Sequence, residues 1–125
     1  MQLSPAETLD LLAAAAPTFV HEDWEETERL AYVEVGDLVY HLRAGLKLGE
    51  PAEVVAVMEV VEALLAGNRA DENFVQIGLF ESIQNTSSGT GLDQEAWEPF
   101  LGPLSRRLWD ELNDMWGGST TPSTP

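Results

Sequence analysis

Three prolines constrain this chain more than any other feature, because each stands where a helix can begin and nowhere else in a helix would be tolerated. Proline has no N–H to donate, and its ring fixes φ near the helical value. It therefore suits the first turn and disrupts the interior. The strings are Ser4-Pro5-Ala6-Glu7, Glu50-Pro51-Ala52-Glu53 and Gly102-Pro103-Leu104. In the first, Ser4 and Glu7 have the spacing of a capping box. After the second, Val54, Val57, Met58, Val61, Leu64 and Leu65 recur at i, i+3, i+4 and i+7, which predicts an amphipathic helix ending at Gly67-Asn68.

The other segments follow the same logic. Leu9, Leu12 and Ala13 share one face of a first helix that Pro17 stops near Ala16. A second helix is predicted from around Trp24–Thr27 to about Leu46, with Gly36 as a point of interruption. Asp71 is placed to cap a fourth helix reaching about Gln84. Its apolar residues, Phe74, Val75, Ile77, Leu79, Phe80 and Ile83, surround the cylinder when laid out at 100° per residue, which marks a central helix. Asn85–Gly91 has the composition of a loop, and a short helix is expected over Asp93–Phe100. The last helix runs from Pro103 to about Trp116, with Leu104, Leu108, Leu112 and Met115 as its inner stripe. The predicted fold is therefore all-α, an irregular antiparallel bundle of five to six helices, with α-solenoid-like stacking of helix pairs as a variant. One domain is expected over residues 1–116, and residues 117–125 have the composition of a flexible tail.

Charge sets the surface. There are 22 acids against 6 bases, a net charge of −16. Up to Arg69 the count is 13 acids and 4 bases, and beyond it 9 and 2, so the excess is distributed. Such a surface repels nucleic acid and anionic membranes and draws basic partners. With 44% hydrophobic residues the chain still has the material for a core. The absence of cysteine removes disulfides, thiolate metal sites and thiol nucleophiles. The N-terminus lacks a basic start, and no apolar run approaches the roughly 18 residues of a membrane span. A cytoplasmic protein is expected.

Few residues carry chemistry. His21 and His41 stand alone, outside any metal-ligand spacing, and read as surface or hydrogen-bonded histidines. The run Glu22-Asp23-Trp24-Glu25-Glu26-Thr27-Glu28 holds five carboxylates in seven positions without the oxygen-ligand spacing of an EF-hand. Glu22, Asp23, Glu25, Glu26 and Glu28, with Trp24 beside them, form a candidate patch for a basic partner; a solvated helix start is the plainer reading. Glu62, at the edge of an apolar stripe, and Glu81, phased among apolar residues, are candidate inward structural carboxylates held by an arginine or a helix N-terminus. The glycines of Asn85–Gly91 follow no strand and form no phosphate cradle, and the serines lie in no nucleophile motif. No catalytic residue, metal site or cofactor is expected. Of Trp24, Trp97, Trp109 and Trp116, most should complete the core, with one or two anchoring an interface.

From residue 30 to about 116 the chain resembles a group of small helical bacterial proteins, largely of unknown function, many of which look like immunity proteins of polymorphic-toxin systems. The resemblance rests on Val54–Leu65 with Glu62, on Asn73-Phe74-Val75-Gln76-Ile77-Gly78-Leu79-Phe80-Glu81, and on Leu101-Gly102-Pro103-Leu104-Ser105 followed by Trp109. It implies a non-enzymatic protein that binds and neutralises a cognate toxin domain, one that the acidic surface suggests is basic. A non-toxin adaptor or regulatory interaction module is the alternative.

Overall fold

The computed structural model describes residues 2–20, 31–87 and 94–117. Its helices are α1 (Pro5–Ala14), α2 (Ala31–Lys47), α3 (Ala52–Ala66), α4 (Glu81–Ser87) and α5 (Pro103–Gly117), and no strand occurs among the described residues. The architecture is an all-α bundle. Helix α2 is its hub, lying against α1, α3, α4 and the π-helical segment Phe74–Phe80 that leads into α4. Helix α5 closes the bundle against α3 and the π segment.

Helix starts follow the prolines. At α1 the Glu7 N–H donates to Ser4 Oγ (3.1 Å) and the Ser4 N–H donates to Glu7 Oε1 (2.9 Å), the reciprocal capping box. The helix ends at Ala14, two residues short of Ala16, the residue that Pro17 disfavours in the α region. Helix α2 runs unbroken through Gly36. One glycine costs about 1 kcal/mol, and burial of Val35, Leu38, Val39 and Leu42 on the same helix outweighs it. The predicted start of α2 near Trp24 lies outside the described residues.

Two elements differ from the sequence expectation. The fourth helix starts under Asp71, whose Oδ1 accepts from the N–H groups of Asn73 (3.0 Å) and Phe74 (3.3 Å), but then widens into the π segment and extends to Ser87. Bonding i→i+5 brings residues five apart into line. Phe74 and Leu79 are thereby buried together, as are Val75 and Phe80. Gly78 is part of this fit, since a Cβ there would stand 2.9 Å from the Phe74 ring. The second difference is at Asp93–Phe100. Two 3₁₀ turns, Gln94–Ala96 and Glu98–Phe100, replace the expected short α-helix. Pro99 cannot donate to the carbonyl of Glu95, and its ring would clash with it.

The core is continuous across all five helices and includes Trp97 and Trp109, both fully buried. Of the predicted α5 stripe, Leu108 and Leu112 are buried and Leu104 is partly so, whereas Met115 is about half exposed, one turn beyond the last core contact. No helix among the described residues is long and apolar enough to cross a membrane.

Candidate functional site

The end of α1, one side of α2 and the start of α3 converge on Glu53. Thr18 donates to this carboxylate from its N–H (Oε2, 2.8 Å) and from its hydroxyl (2.7 Å to each oxygen). His41 Nε2 lies 2.7 Å from Glu53 Oε1 and 3.1 Å from Thr18 Oγ1. Desolvation pushes the Glu53 carboxyl up, but the Thr18 hydroxyl, the Thr18 N–H and His41 together hold it below its ordinary value. His41 Nε2 faces both Glu53 Oε1 and Thr18 Oγ1, and its tautomer sets whether it donates or accepts there. The cluster fastens three elements and fixes a negative charge near the surface. His41, isolated in the sequence, is hydrogen-bonded in the fold, and the Phe19 ring packs 5.3 Å from its centroid.

A cleft of about 420 Å³ opens beside this cluster. The α2–α3 turn forms one wall, held by Gly49 at φ 75° and by the Glu50 N–H donating to Gly45 O (2.8 Å). Leu42, Ala44, Leu48, Ala52 and Val54 supply its apolar lining, and Glu50 and Glu53 its acids.

Next to the cleft, α2 turns an apolar side to solvent. Val33, Asp37, Tyr40 and Ala44 recur at helical spacing on the side opposite Val35, Leu38, Val39 and Leu42. Val33 is 70% and Tyr40 66% exposed, with Val20 at 77% and Leu48 at 74%. Phe19, Val20, Asp37, Tyr40, Thr18 and His41 frame a shallow depression along this side. Of these exposed residues Val20 and Tyr40 border the depression, and Leu48 borders the cleft. Val20 directly precedes, in sequence, the segment that carries the acidic run.

The predicted partner-binding residues Glu22, Asp23, Trp24, Glu25, Glu26 and Glu28 lie outside the described residues, as do His21 and residues 118–125. Glu81 is partly buried at the junction of the π segment with α4. Its expected phase assumed 100° per residue, which the π segment immediately before it does not follow. Glu62 is elsewhere, against α5. It accepts from Leu104 N–H (Oε2, 2.9 Å), Ser105 N–H (Oε1, 2.9 Å) and the Ser105 hydroxyl (2.9 Å). Residues missed in the sequence are Thr18, Glu53 and the exposed set on α2. The available signal was Val33 and Tyr40, two large side chains one heptad apart on the polar side of an amphipathic helix.

The fold defines a small all-α protein of net charge −16 whose α2 leaves Val33 and Tyr40 in solvent. The chain belongs to the DUF7674 family, described as a domain of unknown function, whose model matches residues 9–117. No curated protein and no solved structure matches it.

Proposed function

We propose that this protein is an immunity-type inhibitor that binds a basic bacterial toxin domain and covers its active site or substrate groove. The observation that carries the reading is the exposed apolar side of α2, Val33 and Tyr40 with Val20 and Leu48, on a chain of net charge −16. Distributed negative charge accelerates encounter with a basic partner, and apolar anchors slow its release. The acidic run Glu22–Glu28, entered from Val20, adds charge next in sequence to that side. The protein acts by occupancy, not turnover, in the cytoplasm of the cell that must survive the toxin.

Co-purification from the native host, with identification of the captured protein, tests the reading first. The expected partner is a basic domain with toxic activity. Its association rate should fall steeply between 0.1 M and 1 M salt, as the Debye length shrinks from about 10 Å to about 3 Å. Tyr40→Glu combined with Val33→Glu should weaken binding by more than about tenfold, mainly through faster dissociation. Replacing Glu22, Asp23, Glu25 and Glu26 by Gln or Asn should slow association and flatten its salt dependence. An acidic partner, or unchanged affinity in the Tyr40/Val33 variant, would sink the proposal.

A further inference from the structure

We propose that the cleft between the α2–α3 turn and the end of α1 is a socket for one long cationic side chain, arginine or lysine, presented by a protein partner. The inference deepens the inhibitor reading and rests on it only for the identity of the partner. The cleft itself is defined by the fold.

Its volume, about 420 Å³, is within the range of sites that enclose a small group. Leu42, Ala44, Leu48, Ala52 and Val54 are the right lining for a methylene stem, and Glu50 and Glu53 for the charged head. Arginine and lysine have this two-part character, an apolar stem carrying a cation. No lysine or arginine is among the residues lining the cleft. Its one basic group, His41, is already held on Glu53 at 2.7 Å, and Glu50 adds a second carboxylate, so the lining carries two acids against one histidine. Glu53 is also preorganised: Thr18 and His41 fix its position before any ligand arrives, at 2.7–2.8 Å. The wall on the other side is equally fixed, because a Cβ on Gly45 would stand 2.9 Å from Glu50 O, so only glycine allows the turn to close this tightly.

Position favours a side chain from a docked protein. Thr18 and His41 line both the cleft and the shallow depression under Val20 and Tyr40. A partner seated on the apolar side of α2 would thus lie directly over the mouth. Leu48, 74% exposed at the rim, would be covered by the stem of the inserted residue.

The test requires no partner. The full chain is titrated with n-butylguanidinium and n-butylammonium as side-chain mimics, and with n-butanol and butyrate as neutral and anionic controls, while backbone amide shifts are followed by NMR. The cations should give saturable shifts concentrated at Leu42, Gly45, Leu48, Ala52 and Val54, and the controls should give much weaker ones. Glu50→Gln, at an exposed position, should weaken the cations by about fivefold with the fold intact. Ala44→Phe, which narrows the cleft and leaves both carboxylates in place, should abolish saturation. Equal binding of butanol or butyrate, or cation shifts that never saturate and spread over the whole acidic surface, would overturn the socket. Those results would leave the inhibitor proposal standing on its own test. Conversely, saturable cation binding would support the socket even where host co-purification yields no basic partner, a result that counts against the inhibitor reading alone.

Discussion

Replacing Trp109 with alanine should lower stability by about 3–5 kcal/mol, the largest single-residue effect expected in this chain. Trp109 is fully buried on α5 and meets Phe80 of the π segment edge-on, with ring centroids 5.4 Å apart. Its Nε1–H donates to Glu98 Oε2 at 3.2 Å, tying α5 back to the 3₁₀ turn before it. Alanine removes the ring from the junction of three elements and leaves a cavity that the surrounding helices fill only in part. Domains of this size are stable by roughly 5–15 kcal/mol, so the variant should melt some 15 °C or more below the parent. Trp109→Phe keeps the contact with Phe80 and loses the indole hydrogen bond, and should cost about 1–2 kcal/mol. Urea denaturation of both variants checks the order. An alanine variant within about 1 kcal/mol of the parent would show that α5 does not close the core as described.

The second large effect belongs to Glu62, and it carries a pH signature. Helix α5 begins with Gly102 and Pro103, which have no side-chain oxygen to cap its first turn. Leu104 and Ser105 therefore expose N–H groups with no partner inside the helix. Glu62 of α3 takes both, and the Ser105 hydroxyl as well, so one carboxylate caps α5 from across the bundle. The positive end of the helix dipole strengthens the arrangement. Gly102 makes room for it, since a Cβ there would overlap the Glu62 carboxylate.

Glu62→Gln should cost about 2 kcal/mol at neutral pH, because hydrogen bonds to an ionised group are worth more than neutral ones and the amide cannot accept all three. Gly102→Val should be destabilising as well, through displacement of the same carboxylate. Desolvation pushes the Glu62 carboxyl up, but the Ser105 and Leu104 N–H groups and the Ser105 hydroxyl hold it below its ordinary value of 4.5. A carboxyl lowered in the folded state contributes stability that is fully present above its unfolded value. That contribution is lost as pH falls through the folded value. The gap between parent and Glu62→Gln should therefore be constant from neutral pH down to about 5, then narrow in more acidic solution. Glu59→Gln, exposed on the same helix, should show neither effect. A gap that persists unchanged at low pH would mean that Glu62 contributes by packing alone.

The contrast between Glu7 and Glu62 marks where sequence reasoning stops. Both cap a helix with a carboxylate. Glu7 does so three residues from its partner, within one turn, so backbone geometry alone brings the groups together. Glu62 meets Ser105 across 43 residues, and no local rule links the two positions. The neighbourhood of Glu53 is similar, with Thr18 35 residues away. Glycine before Pro103 was readable as a helix start, but not as the space left for a distant carboxylate.

What the sequence determined by itself is the set of short-range outcomes. Ser4, Pro5 and Glu7 start α1; the apolar repeat from Val54 to Leu64 makes α3; Asn68, at φ 57°, ends it in the left-handed turn that asparagine tolerates. Each is decided by groups within a turn or two, and together they dictate a helical bundle. Tertiary structure decided whatever required comparing energies across the chain. Packing of Phe74, Val75, Leu79 and Phe80 against α2 and α5 made a π segment of a stretch whose composition reads as plain α-helix. It also chose which large side chains stayed outside, leaving Val33 and Tyr40 in solvent while Trp97 and Trp109 filled the core. Propensity differences of a few tenths of a kcal/mol per residue are overridden once several kcal/mol of apolar burial depend on the register. The cleft and the capped α5 are both products of that second, long-range selection.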